Sequence, residues 1–174
     1  MELTLLGTGC PKVDHKRFGP SNLITSKQAK ILIDCGSGVT QRLDEAKVST
    51  ADIDALFLTH LHSDHVVDLY QLIISSWHSY RIKPWKIFGP KGTKKFVTNI
   101  MKAWQDERNL RIKYESRSST KAFKTTIKEF KNFDPKFDLW TAKLDGLDGR
   151  FGFSMANSIY RQLGRPGNGW GRLK

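Results

Sequence analysis

The fold of this chain is decided by one stretch of sequence, ALFLTHLHSDHV, which covers residues 55–66. Its first four residues are apolar, as is typical of a short strand that is buried on both faces of a sheet. Three histidines and an aspartate follow this strand within six residues: His60, His62, Asp64 and His65. Packing does not explain such a cluster, because imidazoles that are buried without a ligand or hydrogen-bond partner cost free energy.

The spacing of these four side chains predicts that they meet at one point. If the chain leaves the strand extended, His60 and His62 project to the same side, and Leu61 points back into the core. A helix that begins near Asp64 or His65 brings those two side chains towards the same point. Because imidazole suits zinc and a carboxylate adds an oxygen ligand, the cluster predicts a site for divalent metal, with zinc as the expected ion.

Outward from this stretch, strands alternate with helices. Strands are predicted at Leu3–Leu6, Asn22–Thr25, Lys30–Ile33, Ala55–Leu58 and Trp85–Phe88. Helices are predicted at Val39–Ala46, Val66–Ser76 and Thr93–Arg108. Two further apolar or alternating segments follow at Leu110–Tyr114 and Thr125–Phe130. This mixture of strands and helices indicates an α/β layered domain.

The character of the sequence changes after about Phe130. Half of the 14 glycines fall in the last 29 residues, and hydrophobic periodicity disappears there. We therefore divide the chain into one domain at residues 1–130 and an atypical glycine-rich tail at residues 131–174. The tail is predicted to be loop or disordered.

Positive charge is concentrated in the middle of the chain. The formal net charge is +12, and residues 81–130 hold 14 Lys and Arg against 4 Asp and Glu. Such an excess attracts polyanions, so this segment predicts RNA or another polyanion as a partner. The alternative interpretation is a lysine-rich surface that is only solvated.

The sequence also bears on compartment and membrane contact. No apolar run approaches the roughly 20 residues that a membrane-spanning helix needs, so we expect no membrane partner. Cys10 and Cys35 are too few for a disulfide framework, which favours a reducing cytoplasm.

Four motifs carry a resemblance to a known family. The segment Thr59–His65 resembles the HxHxDH signature of the metallo-β-lactamase superfamily. Leu5–Gly9, Ile31–Gly36 and Gly89–Gly92 resemble the opening strand and turn, the strand that ends in an aspartate, and a later turn of its ribonuclease Z-like branch. This branch includes enzymes that cut tRNA precursors or hydrolyse aryl sulfates. The resemblance implies an αββα sandwich with a metal site at one edge.

The resemblance also implies roles for individual residues. His60 and His62 would ligate a first zinc ion, and Asp64 and His65 a second, with Mn²⁺ as another candidate metal. Asp64 would also act in catalysis by orienting the attacking water, which the metals activate. Asp34 and Thr59 would not bind the metals themselves but would position the residues that do. For Asp34, the open alternative is a turn-forming aspartate before a glycine.

The resemblance covers residues 1–130 only, which predicts an incomplete sandwich. The family completes its site with later histidines and an aspartate, whereas no histidine follows His78 here. His15 and His78 are interpreted as ordinary surface or core residues. The expected function is hydrolysis of phosphodiesters, such as tRNA 3′ processing, or of aryl sulfate esters, with this chain an inactive fragment if the remaining ligands are missing. The alternative is a non-catalytic half-domain that binds nucleic acid or pairs with a second copy as a homodimer.

Overall fold

A computed structural model of the chain describes residues 1–130. The contacts of the chain place these residues in one compact unit. The predicted loop or disorder at residues 131–174 lies outside the described residues. None of the helices in the described part is both long and apolar enough to cross a membrane.

The described residues form one six-stranded sheet. Its strands are β1 (Glu2–Gly7), β2 (Ser21–Thr25), β3 (Lys30–Ile33), β4 (Ala55–Phe57), β5 (Trp85–Pro90) and β6 (Thr125–Phe130). They lie side by side in chain order. The first three are antiparallel, whereas β3, β4, β5 and β6 run parallel to one another. The carboxyl ends of the parallel strands therefore meet at one edge of the sheet.

Five helices connect or follow the strands. They are α1 (Val39–Glu45), α2 (Ser63–Val66), α3 (Leu69–His78), α4 (Thr93–Ala103) and α5 (Gln105–Tyr114). Side chains of α1, α3 and α4 share one apolar core with one face of the sheet, where Leu32, Leu56 and Ile87 are fully buried. The alternate residues of the strands point to the opposite face, where Phe57 and Phe88 stack at 4.5 Å and are also buried.

Three predicted elements differ from the structure. The helix predicted at Val66–Ser76 starts too early, because Val66 is the last residue of α2 and the following helix, α3, begins at Leu69. The helix predicted at Thr93–Arg108 is two helices, because α4 ends at Ala103 and α5 begins at Gln105. The separate segment predicted at Leu110–Tyr114 is wrong, since those residues belong to α5. No side chain of α5 is buried, so its apolar residues do not mark an inner face.

Arg81 ties the loop before β5 to the rest of the domain. Its guanidinium group is 1% exposed and donates to the carbonyls of Ala51, Ile53, Lys83 and Pro84 at 2.7–3.1 Å. Burial lowers the pKa of Arg81 to about 10, so the group is still charged at neutral pH. This cation therefore serves as an internal donor to four carbonyls.

Candidate metal centre

Three loops come together at the edge where the parallel strands end. Asp34 follows β3, the segment Thr59–His65 follows β4, and Gly89–Gly92 closes β5. We call Thr59–His65 the histidine loop. In open sheets with parallel strands, ligands bind outside this carboxyl edge.

The imidazole rings of the histidine loop lie against one another. The ring centroids of His60 and His62 are 4.5 Å apart, and those of His60 and His65 are 4.0 Å apart. Leu61 turns the opposite way and packs against the apolar core. The alternation of side chains along an extended segment produces this arrangement, because it places neighbouring residues on opposite sides.

Asp34 lies beneath the rings and is 2% exposed. One carboxylate oxygen accepts from the backbone N–H of Thr59 at 2.8 Å, and the other lies 2.7 Å from Nδ1 of His65. Its φ of 60° is a left-handed conformation that aspartate tolerates better than most residues. The two interpretations of Asp34 are therefore compatible, because it forms a turn and also contacts the loop.

Thr59 extends this contact to a second histidine. Its hydroxyl lies 2.8 Å from an Asp34 oxygen and 2.9 Å from Nδ1 of His60. Nδ1 of His60 contacts the Thr59 hydroxyl, and Nδ1 of His65 contacts the Asp34 carboxylate. In both rings, Nε2 is therefore the nitrogen that can bind another ligand. A bond of this kind fixes the tautomer of a metal-binding histidine.

The imidazole rings of His60 and His65 differ in pKa. Burial lowers the pKa of His60, and the neighbouring His65 lowers it further. For His65, burial acts to lower the pKa, but the hydrogen bond and charge of Asp34 and the charge of Asp64 outweigh it, so the pKa is raised. The neutral form, which binds metal, is thus favoured more strongly at His60 than at His65.

One pair of donor atoms is close enough to share a cation. Nε2 of His65 lies 3.7 Å from a carboxylate oxygen of Asp64. Two ligands of one tetrahedral zinc ion are separated by about 3.4 Å, given metal–ligand distances near 2.1 Å. However, no three histidine, cysteine or acidic side chains in residues 1–130 are arranged so that they could together hold a metal ion. The donor set suits zinc in chemistry, and a full coordination shell needs ligands beyond this pair.

A close backbone approach positions Asp64. A Cβ added at Gly36 would lie 2.5 Å from the carbonyl oxygen of Asp64 and 2.6 Å from the nitrogen of Pro20. Glycine is therefore required at this position, because the start of α2 packs directly on the turn after β3. The backbone N–H of Cys35 donates to the carbonyl of His65 at 2.8 Å and ties the same two segments together.

A cavity of about 390 Å³ opens beside Asp64. Much of its wall comes from the loop between β1 and β2, with Lys12, His15, Arg17 and Phe18 among the lining residues. The sequence interpretation missed this loop and assigned His15 an ordinary role. The glycine turn after β1 was the available signal, since a Cβ at Gly7 would lie 1.9 Å from a carbonyl oxygen at the far end of the same loop.

Solved structures with the same fold match this chain. The short form of human tRNase Z matches with a TM-score of 0.54 and 26% identity, over 74% of this chain and 44% of that chain. The protein YhfI from Bacillus subtilis, of the metallo-β-lactamase fold, matches with a TM-score of 0.54 and 19% identity, over 76% of this chain and 46% of that chain. The predicted α/β fold class is therefore confirmed, with only part of the sandwich covered.

Curated relatives agree with these structures. The ribonuclease Z of Mycolicibacterium gilvum (strain PYR-GCK) is 42% identical over 123 residues, which is 69% of this chain and 43% of the relative. The ribonuclease Z of Mycobacterium bovis (strain BCG / Pasteur 1173P2) is 40% identical over 123 residues, covering 69% and 44%. The chain thus spans less than half the length of these relatives.

The fold and the histidine loop together define a protein of the metallo-β-lactamase fold in its ribonuclease Z-like branch, a hydrolase by resemblance. The resemblance inferred from the sequence is confirmed. A family model described as anti-Pycsar protein Apyc1 matches residues 1–133, and the chain belongs to that family.

Proposed function

We propose that this chain provides metal-binding residues for the hydrolysis of phosphodiesters. The observation that carries the proposal is the bonded series in which Asp34 contacts Thr59 and His65, and Thr59 contacts His60. A buried carboxylate that holds one histidine by its Nδ1 atom directly, and a second through a threonine hydroxyl, has a clear use where both Nε2 atoms bind a cation.

The roles of the ligands follow the resemblance. His60 and His62 would hold one zinc ion, and Asp64 and His65 a second, with Mn²⁺ as the other candidate. Zinc, when bound, polarises an ester oxygen and makes water a stronger nucleophile at neutral pH. Asp64 would orient the attacking water, and Asp34 and Thr59 would keep the rings in position.

Two observations favour a phosphodiester over an aryl sulfate. Relatives of the chain are named ribonuclease Z, which is an activity on RNA. In addition, Lys12 and Arg17 line the cavity beside Asp64. Arg17 lies 3.9 Å from Asp14, so Lys12 is the cation that remains for a phosphate of the substrate. A tRNA 3′ end is the substrate that the relatives suggest. The matching family is described as an anti-Pycsar protein, and these words do not specify a substrate.

Zinc stoichiometry and turnover test the proposal. Metal analysis of the purified full chain should find one or two equivalents of zinc, and His62→Ala should lower this number. His78→Gln removes a histidine outside the loop and should leave the stoichiometry unchanged. The full chain should also hydrolyse bis(p-nitrophenyl) phosphate faster than His62→Ala. A chain that binds zinc but shows no turnover above that variant would contradict the catalytic part of the proposal.

A second candidate is a non-catalytic half-domain that binds nucleic acid or pairs with a second copy. It is favoured by the excess of positive charge in residues 81–130, where 14 Lys and Arg stand against 4 Asp and Glu. Sedimentation of the purified chain would detect a homodimer. The compartment that we propose is the cytoplasm, because Cys10 and Cys35 are both free.

A further inference from the structure

The arginines between residues 81 and 130 are engaged in contacts within the chain. Arg111 bonds the carboxylates of Glu107 and Glu115, and Arg117 lies 3.4 Å from Glu115. Arg108 donates to a backbone carbonyl of α4 and lies over an aromatic ring. Together with the buried guanidinium before β5, these cations stabilise the fold. The +10 charge of the segment is therefore not all available to a partner.

The lysines of α4 and of the turn before it are different. Lys91, Lys94, Lys95 and Lys102 are all exposed, and within residues 1–130 none of their ammonium groups has an ion pair or hydrogen bond. The helix Thr93–Ala103 contains no acidic residue. We call these four residues the α4 lysine face.

The polar residues between these lysines extend the same surface. Val97 marks the buried side of α4, whereas Lys95, Thr98, Asn99 and Lys102 lie on the exposed side. Lys95 and Lys102 are seven positions apart, which corresponds to about 10 Å along a helix. Lysine, threonine and asparagine are side chains that contact phosphates in nucleic-acid complexes. The surface is thus long enough for two or more backbone phosphates.

Lys94 and Lys95 lie in the first turn of α4, where positive charge lowers the stability of the helix. Positive charge near a helix N-terminus opposes the helix dipole and so destabilises the helix. Glu129 partly offsets this, because its carboxylate accepts from the backbone N–H groups of Gly92 and Lys94 at 2.9 and 2.7 Å. A polyanion bound here would relieve the remaining repulsion.

The α4 lysine face begins beside the histidine loop. A Cβ added at Gly92 would lie 3.2 Å from Cδ1 of Leu61, so the turn before α4 packs on the segment between the first two histidines. A strand that follows the lysines from Lys102 towards Lys91 therefore arrives at the histidine loop, on the side of Leu61.

We propose that the α4 lysine face binds the phosphate backbone of a single RNA strand and directs it to the histidine loop. This inference rests on the proposed function for the fate of the strand, but the binding itself needs neither metal nor turnover. Charge complementarity selects the occupant, since the face has four free ammonium groups and no acidic side chain within α4.

Salt-dependent binding tests the surface. The full chain is titrated against a fluorescent 20-nucleotide single-stranded RNA in EDTA, and anisotropy is measured from low to moderate salt. Replacing the four lysines with glutamine (K91Q/K94Q/K95Q/K102Q) should weaken binding at least tenfold. It should also reduce the slope of log K against log salt by about 2–3, at roughly 0.7 per lost phosphate contact.

A variant of equal net charge provides the control. K27Q/K47Q/K113Q/K121Q removes four exposed lysines elsewhere and should reduce affinity less than threefold. The pairs K91Q/K94Q and K95Q/K102Q, each expected to show about half of the effect, replace the quadruple variant if it does not fold. Equal losses in both quadruple variants, an unchanged salt slope, or binding to anionic lipid vesicles with none to RNA would overturn the inference. A chain that binds RNA as expected but hydrolyses no diester would contradict only the proposed function.

Discussion

The carboxylate of Asp34 lies 2.7 Å from Nδ1 of His65, although 31 residues separate them in the chain. The same carboxylate accepts from the backbone and the hydroxyl of Thr59. One buried acid thus fixes both the entry of the histidine loop and the orientation of its last ring.

Replacing this acid with asparagine should impair zinc binding more than folding. In Asp34→Asn the amide oxygen can still accept from Thr59, but its NH₂ group would face Nδ1 of His65 and favour the tautomer that carries its proton on Nε2. We expect zinc affinity to fall 10- to 100-fold, measured by competition with a chelating dye.

Asp54→Asn is the matched control for that change. Asp54 accepts from the backbone of Lys30 at 2.8 Å and from the ammonium group of Lys83 at 2.6 Å, so its loss should lower stability. Zinc affinity should be unchanged. Equal losses of affinity in the two variants would show that Asp34 acts only through stability.

Gly36→Ala should destabilise the domain. The new methyl group would meet backbone atoms of Asp64, Gly19 and Pro20 at 2.5–2.6 Å, and backbone cannot move aside cheaply. We expect the free energy of unfolding in urea to fall by about 1–3 kcal/mol. Ser37→Ala changes an exposed side chain next to this glycine and should stay within about 0.5 kcal/mol. A stable Gly36→Ala protein would mean that α2 does not pack on this turn.

Glu107 should stabilise the domain only above acidic pH. Burial acts to raise the pKa of its carboxyl, but hydrogen bonds from Tyr70 and Arg111 outweigh it, and the pKa is lowered. The ionised form is therefore favoured by folding, so the stabilisation is present above the ordinary pKa of 4.5 and is lost as pH falls through the folded value.

Urea unfolding at two pH values tests this dependence. Glu107→Gln should cost about 1 kcal/mol at pH 7, with solvent screening limiting the effect, and much less at pH 3. Asp106→Asn, at an exposed neighbouring position, should have little effect at either pH. A deficit for Glu107→Gln that stays constant between these pH values would rule out the ionised carboxyl as its source.

Arg81→Met should destabilise the domain strongly. Methionine fills a similar volume but cannot donate hydrogen bonds. Four backbone carbonyls would therefore lose their donor, those of Ala51, Ile53, Lys83 and Pro84. The loss should reach about 3 kcal/mol or more, measured by chemical denaturation. Lys83→Met, which removes a half-exposed ion pair, should cost about 1 kcal/mol or less. Similar losses in both variants would show that the internal carbonyls find other partners.

Local pattern was sufficient to predict the sheet and its histidine loop. Each of the six strands overlaps a segment singled out by its apolar or alternating sequence, because each contributes a buried face to a regular sheet. The helix α5 could not be found in this way. It has no buried side chain and is stabilised by pairs such as Glu107–Arg111 and Arg111–Glu115, so its hydrophobic residues carry no helical period.

The surroundings of the site were less predictable than the clustering of its histidines. Three histidines and an aspartate in six residues indicate metal chemistry by themselves. The cavity wall around Lys12 and Arg17 depends on how the loop of the first hairpin folds back towards α2. The glycine turn after β1 indicates a close approach of the chain but does not indicate which segment it approaches. The contact of Gly92 with Leu61 is also long-range and becomes visible only in the folded chain.

Leu61 has a consequence for how this loop can change during evolution. Leu61 packs against the core while the residues on either side face the opposite way, so its contact sets which residues of the loop face outward. Exchanging one side chain of the loop leaves the direction of all the others unchanged. Inserting or deleting a single residue would instead turn the imidazoles inward and a hydrocarbon outward, so the length of this loop is constrained more tightly than its composition.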